Sequence, residues 1–267
     1  MISGFKAIRI LYAMPVFLAA ILCASALAQN PSPPSRDRVY LRDIEGIWIN
    51  EQYLKALTAL RAPHAAAKKT PPVVIAIKRE GRAFPIVVTD FNKASVQTVL
   101  DVEPDAKAGS YRLVVGAGDR PMTSEEVKYV YLQGTRNAQG KFERLRFADI
   151  FLMKGKWADY ILLPGEISPY INRLVLAGRY KDEQGRGWEF NESGEARWPD
   201  QRFVYELSLN DPGAGCEYLQ TEDLKEGADN KRFGYAWKNG KLSIYPARMV
   251  KKKVRCDAKP LAVLTPQ

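Results

Sequence analysis

From residue 73 onward, apolar and aromatic residues recur in short runs separated by Gly, Asn, Asp and Pro, a pattern of strands rather than helices. The first series is "VVIAIKR" (73–79), "FPIVVTD" (84–90), "SVQTVLDV" (95–102), "SYRLVVG" (110–116), "VKYVYLQG" (127–134), "FERLRFADI" (142–150) and "WADYILL" (157–163). A second series opens with "LAGRYKD" (176–182) and runs through "GWEF", "EARW", "RFVYELSL", "CEYLQ" and "RFGYAW" to "LSIYP". Alternation is cleanest in "ERLRF", which sends Leu145 and Phe147 to one face and Arg144 and Arg146 to the other, so one face is buried and one is wet. In "RFGYAWKNGKLSIY" the dipeptide Asn239-Gly240 supplies the positive φ angles of a two-residue hairpin turn. The pattern predicts a mainly β chain, an antiparallel meander closing into one barrel or two smaller β modules.

One segment departs from this text. "EGIWINEQYLKALTALRAPH" (45–64) begins as a strand and continues as a helix. Asn50 can cap that helix, Tyr53, Leu54, Leu57 and Leu60 form an apolar stripe, and Pro63 ends it. The spacing predicts an amphipathic helix of about three turns laid against a β surface. "IEGIWINE" (44–51) and "LAGRYKDE" (176–183) also share a Gly, an aromatic two places on and a Glu three further on. Three shared positions count as chance unless the fold shows two matching halves.

The remaining text divides the chain. Residues 1–28 have a basic start (Lys6, Arg9), an apolar core and the small-residue ending "ALA", the pattern of a cleaved secretory signal. The apolar core is interrupted by Pro15 and is short for a spanning helix, which wants about 20 apolar residues. A Pro/Ser linker follows at 29–38, then a β module with its N-terminal helix at 39–175. Residues 176–250 form a β meander that completes the barrel or makes a second small module, and 251–267 form a basic C-terminal tail. After cleavage no segment is apolar and long enough to span a bilayer, and the chain is expected to be exported, periplasmic or extracellular.

Export changes the reading of the cysteines. Cys216 and Cys256 remain after cleavage, and an even pair in an exported chain reads as a disulfide. Net charge is +10 for the whole sequence and +8 without Lys6 and Arg9, which favours an anionic partner. Part of the excess is the run "KKKVR" (251–255), read as a solvated segment.

Candidate chemistry is sparse. His64 is the single histidine, so any Ser-His or Cys-His nucleophile system depends on it; after Pro63 it reads as a surface or helix-end residue. No ligand cluster for a metal and no cofactor motif is visible, and "VVGAGDRP" (114–121) lacks the Lys-Ser/Thr of a phosphate loop. Asp90, Asp101, Glu103, Asp149 and Glu166 could supply a glycosidase pair, but no spacing singles out two of them. Aromatics interleaved with cations, as in "KYVYLQGTR", fit a core face and a solvent face, and nucleic acid is not expected as a partner of an exported chain.

"GIW" in a first strand, after a Pro-rich leader and before a run of antiparallel strands, resembles the Gly-x-Trp motif of the lipocalin-like (calycin) β-barrels. The resemblance implies that Gly46 and Trp48 open a barrel whose closed end Trp48 plugs, and that Arg248, after "LSIYP", stacks across it. The barrel-like strand text and the basic surplus lead to the expectation of a noncatalytic envelope protein, a β-barrel or sandwich, that holds a lipid or another hydrophobic or anionic amphipathic molecule. An envelope protein-protein interaction factor or inhibitor is the alternative, and a two-carboxylate glycan hydrolase the second.

Overall fold

The computed structural model describes residues 39–68, 73–81, 84–89, 94–105, 109–116, 128–148, 156–209, 211, 214–222 and 231–267. The signal and linker readings, Asp90 and Asp149 lie outside them. The chain is mainly β, and the strands close twice. β1 (Gly46–Asn50), β2 (Val74–Ile77), β3 (Phe84–Thr89), β4 (Ala94–Pro104), β5 (Ser110–Gly116), β6 (Lys128–Arg136), β7 (Phe142–Ala148) and β8 (Ala158–Leu162) form a closed antiparallel barrel, with Trp48 paired to Ile75 on one side and Leu162 on the other. Between β1 and β2 stand two helices, α1 (Glu51–Leu60) and α2 (Pro63–Ala67), and α3 (Ile167–Val175) follows the barrel.

The second barrel consists of β9 (Gly178–Lys181), β10 (Gly187–Phe190), β11 (Glu195–Trp198), β12 (Gln201–Leu207), β13 (Glu217–Glu222), β14 (Arg232–Lys238), β15 (Lys241–Val250) and β17 (Ala262–Pro266), with β16 (Lys253–Cys256) added outside the ring on β15. β17 closes it, pairing with β15 through Leu242↔Leu264 and with β9 through Thr265↔Lys181. Of the two architectures the pattern allowed, the chain adopts two modules. Residues 251–267 are therefore not a tail: Val254 and Leu264 are buried, and without β17 the second barrel has no closing strand.

Local rules account for most boundaries. The Asn50 side chain accepts the backbone N–H of Tyr53 at 3.0 Å, and α1 ends at Arg61 in the left-handed conformation. Pro63 does end the run, but it also occupies the first position of α2, where its missing N–H costs nothing. Asn239 (φ 53°) and Gly240 (φ 73°) form the turn between β14 and β15. The alternation in β7 holds, with Leu145 and Phe147 inside and Arg144 and Arg146 outside.

Among the described residues, buried side chains cluster in both interiors. The first is packed by Trp48, Ile75, Ile77, Ile86, Leu113, Leu132, Leu145, Phe147 and Tyr160, each fully buried. The second includes a cluster of aromatic rings: Trp188 and Trp198 lie 4.6 Å apart by ring centroids, and Phe190 meets Tyr180, Trp198 and Tyr205 edge-on. The stripe of α1 joins this second core through Tyr53 and Leu57, together with Ile171 and Val175 of α3; Leu60, placed on the stripe by its spacing, is half exposed. At the seam the Trp237 indole donates to Val175 O at 2.9 Å, and the Arg61 guanidinium lies 4.2 Å over the Trp237 ring.

Cys216 and Cys256 form a disulfide whose residues are 40 apart in sequence. Closing such a loop removes roughly 4 kcal/mol of unfolded-state entropy in the chain-entropy estimate. The bridge ties the start of β13 to the end of β16, and Gly234 on β14 passes directly beneath the Cys256 sulfur, where a Cβ would overlap it.

Candidate functional site

The short hairpin β11–β12 turns through Pro199 and Asp200, which brings Arg197 opposite Arg202 in register. Two residues so placed have Cβ atoms about 5 Å apart, and like charges there repel. The row continues across the barrel's outer face: Arg197 stands opposite Glu189 of β10, and Glu189 opposite Arg179 of β9. Glu189 gives its carboxylate to Arg179, at 3.5 Å. Among the described residues no carboxylate lies within ion-pair distance of Arg197 or Arg202. Both are exposed, and both line a cleft of about 360 Å³ with Glu189, Asn191, Glu195, Ala196, Phe203 and Val204. The cleft thus offers two unneutralised planar cations beside apolar surface, a combination suited to a carboxylate, sulfate or phosphate carried on an apolar body.

A second constellation lies at the seam between the barrels. His64 is buried, with its Nε2 3.1 Å from Ser208 Oγ and its Nδ1 3.6 Å from Glu217 Oε2. The order Ser, His, Glu is that of a nucleophile, its base and an orienting acid. The acid is otherwise engaged: Glu217 accepts the backbone N–H of His64 on Oε2 and that of Ala65 on Oε1, each at 3.0 Å. A carboxylate on the first amides of a helix is a cap. At 3.6 Å the Nδ1 contact exceeds a hydrogen bond. The group pins α2 to the second barrel, with the Tyr218 ring set edge-on to His64 at 5.7 Å. Nearby, burial pushes the phenols of Tyr53 and Tyr235 upward, and the negative charge of Glu217 adds to it. His64 is therefore a helix-end residue, as its sequence position suggests, but a buried one at the seam between modules rather than a surface one.

The residues singled out from the sequence are dispersed. Gly46 and Trp48 open the first barrel, and the Trp48 indole donates to Ile44 O at 2.9 Å. Arg248 belongs to β15 of the second barrel; its side chain is 76% exposed and reaches Asp257 at 3.7 Å. A guanidinium that open to solvent does not stack on a fully buried Trp48. Near the 3₁₀ turn Leu41–Asp43 that precedes β1, the bridging cation is Arg136, which pairs with Asp43 at 3.4 Å and covers the Phe142 ring at 4.2 Å. The described acids do not converge either: Asp101 and Glu103 lie on β4, Glu103 paired to Arg112 at 3.1 Å, while Glu166 precedes α3. Among the described residues no group of three or more His, Cys, Asp or Glu could hold a metal ion, and no helix is long and apolar enough to cross a membrane.

Arg197 and Arg202 escaped the sequence reading, although their signal was present. In "EARWPDQRF" each arginine stands two places outside the Pro199-Asp200 turn, so a two-residue hairpin must set them face to face. Comparison of the chain with family models, curated proteins and solved structures finds no match.

Proposed function

We propose that this chain is an exported, noncatalytic binding protein of the cell envelope that holds an anionic amphipathic molecule in the outer cleft on β10–β12. The observation that carries the reading is the Arg197–Arg202 pair, opposed in register and without a carboxylate partner among the described residues. Like charges kept face to face cost stability, and an anion bridging them recovers it. Val204, opposite Glu195 on the same face as the arginines, supplies apolar surface beside them, while Ala196 and Phe203 turn their side chains to the core. The volume falls in the range of small-molecule sites, about 300 to 1,000 Å³. The buried clusters of both interiors and the position of this cleft on the outer face support a ligand outside the barrels. The leader at residues 1–28, the net charge of +10 and the Cys216–Cys256 bridge agree with an oxidising compartment and an anionic partner.

The test is calorimetric titration of the protein with dodecanoate, dodecyl sulfate and uncharged dodecanol below their aggregation limits, repeated with Arg197→Gln/Arg202→Gln. The two anions should bind and the alcohol should not, and the double variant should lose at least about tenfold in affinity. Equal binding of all three, or an unchanged double variant, would refute the proposal. Glu189 and Glu195 share the cleft and give a second reading, glycan hydrolysis. Glu189 is engaged by Arg179 at 3.5 Å and Glu195 accepts the side-chain N–H of Asn191 at 3.0 Å. Release of reducing ends from envelope glycans, lost in Glu195→Gln, would favour that second reading.

A further inference from the structure

Beyond residue 247, β15 leaves the barrel and pairs with β16 alone, Arg248 opposite Arg255, Met249 opposite Val254 and Val250 opposite Lys253. The two-stranded ribbon is anchored at its base by the Cys216–Cys256 bridge and by the hydrogen bond from Asp257 N to Pro246 O at 3.0 Å. Its turn is Lys251-Lys252, with φ of 49° and 62°. Both turn residues are left-handed, as in the β14–β15 turn, where the chain uses Asn239-Gly240. Lysine is a poor choice for that conformation, so the turn gives up stability in return for two cations at the tip. With Lys253, Arg248 and Arg255 the ribbon carries five cations, all exposed, and among the described residues the carboxylate paired with one of them is Asp257, on Arg248. Met249 and Val250 at the same tip are 49% and 42% exposed.

We infer that this hairpin is a membrane-surface anchor that docks the protein on an anionic lipid bilayer. The cations match anionic head groups, and the two apolar side chains beside them match the acyl boundary below. A purely polyanionic partner would use the cations and have no use for Met249 and Val250. The inference is independent of the β10–β12 cleft, which lies on other strands.

Co-sedimentation with vesicles tests it, using phosphatidylcholine alone and phosphatidylcholine with about 30% phosphatidylglycerol, and a soluble polyanion, heparin, as the competing class. The protein should bind the anionic vesicles and not the neutral ones, and salt should weaken the binding. Lys251→Glu/Lys252→Glu/Lys253→Glu should lose at least about a hundredfold in partitioning, since each surface cation contributes about fivefold. Met249→Ser/Val250→Ser should weaken vesicle binding while leaving heparin binding unchanged. Lys251→Asn/Lys252→Gly should fold at least as stably as the parent and still bind vesicles less, which separates loss of docking from loss of folding. Arg197→Gln/Arg202→Gln should bind vesicles like the parent. Absence of binding to anionic vesicles would overturn the inference, as would indifference of that binding to the lysines. If Met249→Ser/Val250→Ser left vesicle binding intact, the bilayer assignment would fail in favour of a polyanion.

Discussion

Trp48 and Tyr180 hold equivalent stations in the two barrels. Each stands two residues after a glycine of nearly the same conformation, Gly46 at φ 149° and Gly178 at φ 154°. Each is buried, and each donates its one polar hydrogen to the carbonyl four residues back, Trp48 to Ile44 at 2.9 Å and Tyr180 to Leu176 at 2.6 Å. The faint echo between residues 44–51 and 176–183 thus marks the opening strands of two eight-stranded barrels.

The glycine is the more demanding member of that motif. A Cβ on Gly46 would overlap Leu162 Cδ1, whereas one on Gly178 would lie 3.2 Å from the Tyr180 hydroxyl oxygen. Because Leu162 is partly exposed and its methyl can move aside, backbone strain at φ near 150° decides both sites, and Gly46→Ala and Gly178→Ala should each cost about 2 to 3 kcal/mol. Trp48→Phe, which leaves the Ile44 carbonyl without its donor, should cost about 2 kcal/mol. Urea unfolding of the three variants checks the order.

Arg202→Glu should move stability and binding in opposite directions. The new carboxylate would face Arg197 and turn a repulsive cross-strand pair into an attractive one, a gain of about 0.5 to 1 kcal/mol. The same change removes half of the anion site, so a higher denaturation midpoint should accompany weaker dodecanoate binding. A lower midpoint would show that the arginines do not repel as argued.

Glu217→Gln tests whether the seam constellation is a cap. The amide keeps one acceptor for the two N–H groups of His64 and Ala65, and loss of the charged cap should cost about 1 to 2 kcal/mol. Ser208→Ala removes one contact of His64 and should cost about 1 kcal/mol. Thermal unfolding with far-UV circular dichroism measures both. If Ser208→Ala abolished reaction with an activated ester or a serine-directed fluorophosphonate, the cap reading would be replaced by a catalytic one.

Asp182 sets an acid limit on the second barrel. Burial raises its pKa, but the backbone N–H groups of Arg186 and Gln184, the Trp188 indole and the Arg186 guanidinium outweigh this and hold it below the ordinary carboxylate range. A carboxyl with a depressed folded value contributes stability that is complete above its unfolded pKa, about 4. That contribution is lost as pH falls through the lower, folded value. Asp182→Asn, which sets an N–H against the indole or the guanidinium, should cost about 2 kcal/mol at pH 7 and flatten the acid limb of stability against pH. Denaturant midpoints from pH 7 to pH 2, followed by tryptophan fluorescence, decide it.

Tyr235→Phe should be neutral or stabilising by up to about 1 kcal/mol. The Tyr235 hydroxyl is buried with no hydrogen-bond partner among the described residues, so its removal relieves a desolvated polar group without opening a cavity. A loss above about 1 kcal/mol in the same unfolding assay would show that the hydroxyl is bonded.

Local physics was legible in the chain because its signals are local. Alternation in β7, the Asn50 cap, the Asn239-Gly240 turn and the Cys216–Cys256 pairing each depend on neighbours in sequence or on cysteine arithmetic, and each is present in the structure. The antiparallel polarity and fifteen of the seventeen strands also followed from the text; β16 and β17, read as a tail, did not. What the tertiary structure decided is everything that depends on which strands close on which. β8 returns to β1 and β17 to β9, so the meander makes two rings, a basic tail becomes a closing strand, and Arg248 is carried away from Trp48. Closure also gathered the inward side chains into two separate buried clusters, a partition that alternation alone cannot give, since an inward residue is apolar in either ring. The arginine pair was half legible: the hairpin set Arg197 against Arg202, but only the pairing of β10 with β9 and β11, which places Glu189 between Arg179 and Arg197 and gives its carboxylate to Arg179, left the two cations without a carboxylate in a cleft.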